Sequence, residues 1–242
     1  MFKSIRAEFS RLHYDLFLWI QLAILIVFSF YFGTNPLLKP EETFFKSLSD
    51  VSLFNLIYVA FPILSASIDM IERRSSQMIL AGRTRFQIVV SKYIRYLAVY
   101  CVASLIYPLI NCLYYCTPWF ASLPASDAFY ILRCVGLRLI MGMAFASVPM
   151  IFVFGFRNLY LPFIFAAVYS IGAIIAIPAI SSLPETSEAG RILSWLPNGN
   201  IFTVMKRTAP SFEIIKAVIS SAAVIVLSIL ASYFSFRRAD LK

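Results

Sequence analysis

The chain has one histidine, His13, and four cysteines, Cys101, Cys112, Cys116 and Cys134. Cys112 and Cys116 share a helical face, the spacing of a metal-binding pair. No further ligand lies near them in sequence, and small apolar side chains in a packed helix give the same pattern. His13 has no second ligand nearby and reads as a surface residue. A Cys116–Cys134 bridge across the intervening loop stays open. The nucleophile elbow G-x-S-x-G, the zinc-protease H-E-x-x-H and the phosphate loop G-x-x-x-x-G-K-[ST] are all missing from the sequence. The expectation is therefore a chain that is not an enzyme, with no catalytic residue and no metal, unable to hydrolyse ATP through that loop.

What must position any remaining chemistry is a set of apolar elements. Hydrophobic residues make up 60% and charged residues 14% of the 242, against roughly 45–50% and about 25% in soluble domains. That excludes disorder and a soluble globule, and the unbroken apolar runs exclude a barrel of alternating strands. Six stretches have the length of a membrane helix: 16–32, 51–68, 96–115, 139–156, 161–180 and 217–236. The fold class read from them is an all-α integral membrane protein, a single six-helix transmembrane domain over 1–242. The first stretch lacks an A-x-A cleavage site and is expected to stay as a span.

The net charge of +9 is explained by orientation rather than by nucleic acid. With the N-terminus inside, segments 1–15, 69–95, the turn at Arg157 and 237–242 carry 13 of the 21 Lys and Arg residues but only five of the 12 acids. The positive-inside rule then places both termini in the cytoplasm. Arg133 and Arg138 fall at the outer mouth of the fourth span, within snorkelling reach of the interface. The six hydrocarbon stretches contain no Asp or Glu, which argues against proton-coupled transport. Within them Gln21, Asn55, Asn111 and Tyr169, with Arg138 at the edge, are the candidate pathway residues; hydrogen bonding between helices accounts for them equally well. Pro62, Pro108, Pro149, Pro162 and Pro178 could weaken their helices, and Gly142/Ala146 and Ala166/Ser170/Ala173 permit close helix contact.

Three segments outside the bilayer carry order. In 1–15, Phe2, Ile5, Phe9, Leu12 and Leu16 recur at helical spacing between Lys3, Arg6, Glu8 and Arg11, an amphipathic helix suited to lie on the inner leaflet. The 69–92 loop reads as a helix started by Asp69 and Glu72, stopped at Gly82, and restarted by a Thr84–Gln87 capping box. It presents Glu72, Arg73, Arg74, Arg83 and Arg85. Segment 181–213 has a capping pattern at Ser182 and Glu185, a turn at Pro197-Asn198-Gly199-Asn200, and enough apolar residues for two short helices in the outer leaflet.

This pattern resembles the ABC-type-2 exporter permeases. In that family the loop reads E-r-x-x-G, an apolar run, a basic turn and a Lys opening the third span. Glu72-Arg73-Arg74, Met78-Ile79-Leu80, Arg83-Thr84-Arg85 and Lys92 match, while Ser76 or Gln77 stands where the family has Gly. Phe236-Arg237-Arg238-Ala239-Asp240-Leu241 is similar to the family's closing F-x-x-R/K-D. The resemblance implies a bacterial cytoplasmic-membrane permease subunit for a hydrophobic or amphipathic substrate. Its partners would be a separate ATP-binding subunit, which supplies ATP and Mg, and a second copy or a similar permease. No cofactor is then expected in this chain. Loop 69–92 would be the coupling helix, with Glu72, Arg73, Arg74, Arg83 and Arg85 as docking residues and Arg157 as a smaller second contact. The rival reading is a membrane immunity or assembly protein that binds a partner without ATP coupling.

Overall fold

The structure is a computed structural model that describes residues 2–32, 44–45, 47–48, 53–71, 78–80, 82–114, 125–156, 158–181, 195–196 and 201–238. Among these, all regular structure is helical: α1 (Phe2–Ser10), a 3-10 turn (Leu12–Tyr14), α2 (Leu16–Phe32), α3 (Leu53–Ile71), α4 (Arg85–Tyr114), α5 (Ala125–Gly155), α6 (Tyr160–Ser181), the short α7 (Ile201–Val204) and α8 (Ser211–Arg238). Five of them, α3, α4, α5, α6 and α8, are long and apolar enough to cross a membrane. The remaining expected span, α2, the first in the chain, has 17 residues. It reaches span length only together with the preceding residues 5–14, from which it is bent by 63°.

Contacts between named residues fix the directions of the helices. Asp69 meets Lys92, and Phe54 stacks on Tyr107, so α3 and α4 run antiparallel. Tyr93 meets Ser147 while Tyr100 lies against Gly142, so α4 and α5 are antiparallel too. Ser147 pairs with Ser228 and Gly155 lies near Ser235, which makes α5 and α8 parallel. The main core joins Tyr58, Ile63, Tyr93, Tyr100, Phe154 and Phe236 from α3, α4, α5 and α8. A second cluster gathers Leu137, Met141, Ile177, Ile201 and Val204 at the opposite end from Phe236 and Asp69. Val102, Leu109, Val168, Ile175, Ile219 and Val226 point outward from the bundle. Apolar side chains turned outward along whole helices suit hydrocarbon, not water.

The helices outrun the hydropathic stretches. α5 starts at Ala125, 14 residues before the expected span at 139, and α4 starts at Arg85. Hydropathy locates the hydrocarbon, whereas a helix propagates one hydrogen bond at a time until its chain breaks it. Pro62, Pro108 and Pro149 do not break theirs; each lies inside a continuous helix. Asp69 is corrected most clearly. It does not start a new helix but sits in the last turn of α3, which runs on to Ile71.

The loop after α3 is described from residue 78. Residues 78–80 are helical, and Gly82, at φ +79°, ends that turn. Its N–H donates to Ile79 O at 2.9 Å and the Arg83 N–H to Met78 O at 3.1 Å, the paired bonds of a Schellman stop. Thr84 N–H then donates to Gln87 Oε1 and Gln87 N–H to Thr84 Oγ1, both at 3.3 Å. That is the reciprocal capping box expected at the start of α4. Of segment 181–213, the turn at Trp195–Leu196 and α7 are described; the expected capping at Ser182 and the Pro197–Asn200 turn lie outside the described residues.

Candidate functional site: an ion-pair cluster beneath the N-terminal helix

Ser65 and Asp69 are four apart on α3, and Lys92 and Arg95 three apart on α4, so each pair occupies one helical face. The antiparallel contact sets the two pairs against each other. Asp69 Oδ2 accepts from Lys92 Nζ at 3.1 Å and from Arg95 Nη1 at 2.7 Å. Arg95 Nη1 also reaches Glu8 Oε2 of α1 at 3.3 Å, and Arg95 Nη2 reaches Asp15 Oδ2 at 2.6 Å and Ser65 Oγ at 3.2 Å. The Ser65 hydroxyl donates to Asp15 Oδ2. A single guanidinium fork thus holds carboxylates from three places in the chain, geometry that a lysine could not reproduce.

Asp15 serves two elements at once. Its Oδ1 accepts the N–H of Phe17 at 3.1 Å and of Leu18 at 3.4 Å, capping α2, while Oδ2 faces Arg95. The chain therefore bends at the residue whose side chain is tied to α4. Glu8 is fully buried at 0% exposure, and Arg11 Nη1 lies 3.7 Å from its Oε1. Three carboxylates, Glu8, Asp15 and Asp69, thus face three cations, Arg11, Lys92 and Arg95. Charge balance is what allows such a group to be enclosed. It also sets the facing of α1: the Glu8 side packs inward, and Phe9 and Leu16 of the apolar stripe are left exposed.

Two cavities share a wall here. A groove of about 250 Å³ runs along Arg11, Tyr14, Asp15, Phe17, Asp69 and Arg95. Beneath it a chamber of about 20 Å³ is bounded by Gln21, Phe61, Pro62, Tyr96 and Val99, with Asp15, Ser65, Asp69 and Arg95 common to both.

The pathway residues expected from the sequence do not form one lining. Gln21 Nε2 donates to Ile57 O at 3.3 Å, tying α2 to α3, and the residue belongs to the chamber. Asn55 Oδ1 lies 3.5 Å from the Tyr100 hydroxyl. Arg138, 3% exposed, is within electrostatic reach of Tyr100, as is Tyr169. Three of the five residues thus gather around Tyr100. Asn111 instead donates to Tyr107 O of its own helix at 3.1 Å. Tyr169 also stacks on Phe145 with ring centroids 4.4 Å apart. Arg138 does not snorkel outward as expected, because the α5 face it shares with Met141 and Phe145 packs into the bundle.

Among the expected docking residues, Arg85 is engaged within the chain. Its Nη1 donates to Arg237 O at 2.6 Å and Phe236 O at 3.4 Å, and its guanidinium lies 6.0 Å from the Phe236 ring. It neutralises the carbonyl end of α8. Arg83 is half-buried beside the Schellman turn. Glu72, Arg73, Arg74 and Arg157 lie outside the described residues.

The far end has its own polar fastening. Arg207 makes two 3.0 Å bonds to the carboxylate of Asp127, and its guanidinium lies 5.0 Å from the Tyr130 ring. Arg133 Nη2 donates to Lys206 O at 2.9 Å. Cys134 is a free thiol directed at Met205 O; Cys116, its considered bridge partner, lies outside the described residues.

The ion-pair cluster is not apparent in the sequence because hydropathic windows end at its acids and bases, which places Asp69, Lys92 and Arg95 in the structured segment outside the bilayer rather than against one another. The signal was the i, i+4 and i, i+3 spacing of Ser65/Asp69 and Lys92/Arg95. Among the described residues no three His, Cys, Asp or Glu side chains are grouped to hold a metal ion. No protein-family model matches the chain, and comparison with curated proteins gives no match either.

Proposed function

We propose that this chain is the membrane-spanning subunit of an ATP-driven exporter of a hydrophobic or amphipathic substrate, driven by a separate ATP-binding subunit. In this reading α2 also spans, as the first of six, both termini are cytoplasmic, and two such subunits work together in a bacterial cytoplasmic membrane. The observation that carries it is the junction between α3 and α4. A helical turn is stopped at Gly82 by paired backbone bonds and α4 is restarted at once by the Thr84–Gln87 box. A solvated positive-inside loop needs neither device; a surface that must transmit force to α4 needs both. The ion-pair cluster supports the reading by fastening α1, α2 and α3 to the same turns of α4, so a push on the loop reaches four elements. Asn55, 3.5 Å from the Tyr100 hydroxyl, with Arg138 and Tyr169 within electrostatic reach of it, are the polar groups this reading offers a passing amphiphile.

The test is reconstitution with a candidate ATP-binding cassette protein, sought first among the products of neighbouring genes. The pair is expected to hydrolyse ATP faster than the ATPase alone, and Arg73→Glu/Arg74→Glu is expected to abolish that stimulation while the chain still assembles in the membrane. Stimulation unaffected by the charge reversal would remove the docking assignment. Absence of any stimulation would favour the immunity or assembly reading.

A further inference from the structure

The bend between the 3-10 turn and α2 combines features that a packed junction does not need. Tyr14 is 91% exposed, and Leu16 and Trp19 are exposed beside it. An exposed Tyr and Trp flanking the start of an apolar helix belong at the headgroup level of a bilayer. Behind them lies the groove of about 250 Å³, a volume on the scale of a lipid headgroup, with Arg11 on its rim. Arg11 Nη1 is buried and makes no hydrogen bond, its carboxylate neighbour Glu8 Oε1 standing 3.7 Å away.

Deeper in, two further polar atoms are unpartnered. Gln21 is 0% exposed and its Oε1 has no hydrogen-bond partner; Tyr96 is 3% exposed and its hydroxyl has none. Both residues bound the chamber that shares Asp15, Ser65, Asp69 and Arg95 with the groove. A buried polar atom left unsatisfied is destabilising, so two of them on one cavity mark a place where a ligand supplies what the protein does not. What is asked for is a donor for Gln21 Oε1 and, at the rim, an acceptor for Arg11. The wall between them is charge-balanced, Asp15 and Asp69 standing against Lys92 and Arg95, so it suits a ligand with no net charge whose donor lies beside that acceptor.

We propose that this cavity binds the headgroup of a zwitterionic phospholipid bearing a primary ammonium, the phosphoethanolamine type. The phosphodiester takes the Arg11 guanidinium, and the ammonium points inward to the Asp15/Asp69 wall and Gln21 Oε1. A trimethylated headgroup has no N–H to give and fits the rim but not the interior. The proposal does not depend on the exporter reading, only on the chain lying in a bilayer.

The purified full chain is relipidated in matched-chain phosphatidylethanolamine, phosphatidylcholine or phosphatidylglycerol, and its thermal midpoint is read. Phosphatidylethanolamine is expected to raise it by roughly 5 °C over phosphatidylcholine. Arg11→Gln and Gln21→Leu should each erase that difference, whatever they do to the baseline, while Arg6→Gln on the exposed side of α1 should keep it. A purely structural Gln21 would lower the midpoint equally in all three lipids and leave the difference, which overturns the proposal. So does an equal shift with phosphatidylethanolamine and phosphatidylcholine. Soluble phosphoethanolamine is the remaining arm: protection at millimolar concentration in detergent would assign the site to a free headgroup compound and overturn the lipid source.

Discussion

Arg95 is the residue on which the cytoplasmic-proposed end turns, since its fork contacts Glu8, Asp15, Ser65 and Asp69. Removing one partner from a buried ion group strands the others, a loss of about 3–5 kcal/mol. Arg95→Gln is expected to lower the thermal midpoint by about 10 °C, and adding Asp69→Asn should restore part of it, because the two substitutions share one network. Asp15 separates two roles. Asp15→Asn keeps an amide oxygen able to cap α2 and loses the ionic partner of Arg95, whereas Asp15→Ala loses both. The alanine variant should therefore melt about 1 kcal/mol below the asparagine one, measured as a difference in unfolding free energy. Gly142 gives a test at the α4–α5 crossing. A Cβ there would stand 2.8 Å from Tyr100 Cε1, so Gly142→Ala should cost about 1–3 kcal/mol by overpacking. Tyr100→Phe removes the atom nearest that Cβ and should recover part of the loss.

At the scale of elements, Gly82 and Thr84 decide where one helix stops and the next begins. Gly82→Ala forces a side chain into the left-handed region and is expected to cost about 1–2 kcal/mol, and Thr84→Ala about 1 kcal/mol. If the junction transmits force, both variants should reduce ATPase stimulation by the partner subunit more than they reduce the melting midpoint; equal loss of the two would make the junction merely structural. This junction was legible in the sequence because caps are local: Gly82, Thr84 and Gln87 declare it within six residues. That five apolar helices of span length lie along the chain was legible for the same reason, since hydrocarbon demands a continuous apolar run; where they start was not, because a helix runs past its apolar stretch. The tertiary pairings were not. Nothing local says that Asp69 turns to Lys92, that Arg85 closes the end of α8, or that Asn111 spends its amide on its own backbone. A polar residue in an apolar helix looks the same whether it lines a path or fastens a neighbour, and only the partner across the interface decides. For α1 the apolar stripe was legible, and Phe9 and Leu16 on it are exposed; that Glu8 on the other side would turn inward to Arg95 was not.

Across the whole molecule, helix lengths and the two polar ends set how the chain would sit in a bilayer. From Arg95 to Tyr114, α4 covers about 29 Å, close to the hydrocarbon thickness of roughly 30 Å. In the proposed membrane placement the ion-pair cluster would then fall at one edge of the hydrocarbon. The antiparallel register puts Asp127, Arg207 and Arg133 at the other edge, where α5 overhangs. Whether the N- and C-terminal residues share a side depends on one element, the 17-residue α2 bent by 63° from the residues before it. With α2 spanning, the count is even and Arg6 and Arg238 face the same compartment. With α2 lying along the surface, five spans remain and they face opposite compartments. In a chain whose four cysteines are replaced by alanine, single cysteines at Arg6, Thr208 and Arg238 separate these cases, all three being exposed positions. A membrane-impermeant thiol reagent on intact cells is expected to label Thr208→Cys alone, with Arg6→Cys and Arg238→Cys reacting only after permeabilisation. Labelling of Arg6→Cys from outside would place α2 on the surface and remove the six-span topology. Labelling of Thr208→Cys and Arg238→Cys from the same side would mean that the 28-residue α8, about 42 Å long, does not cross, and the bilayer edges deduced from the two polar ends would fall with it.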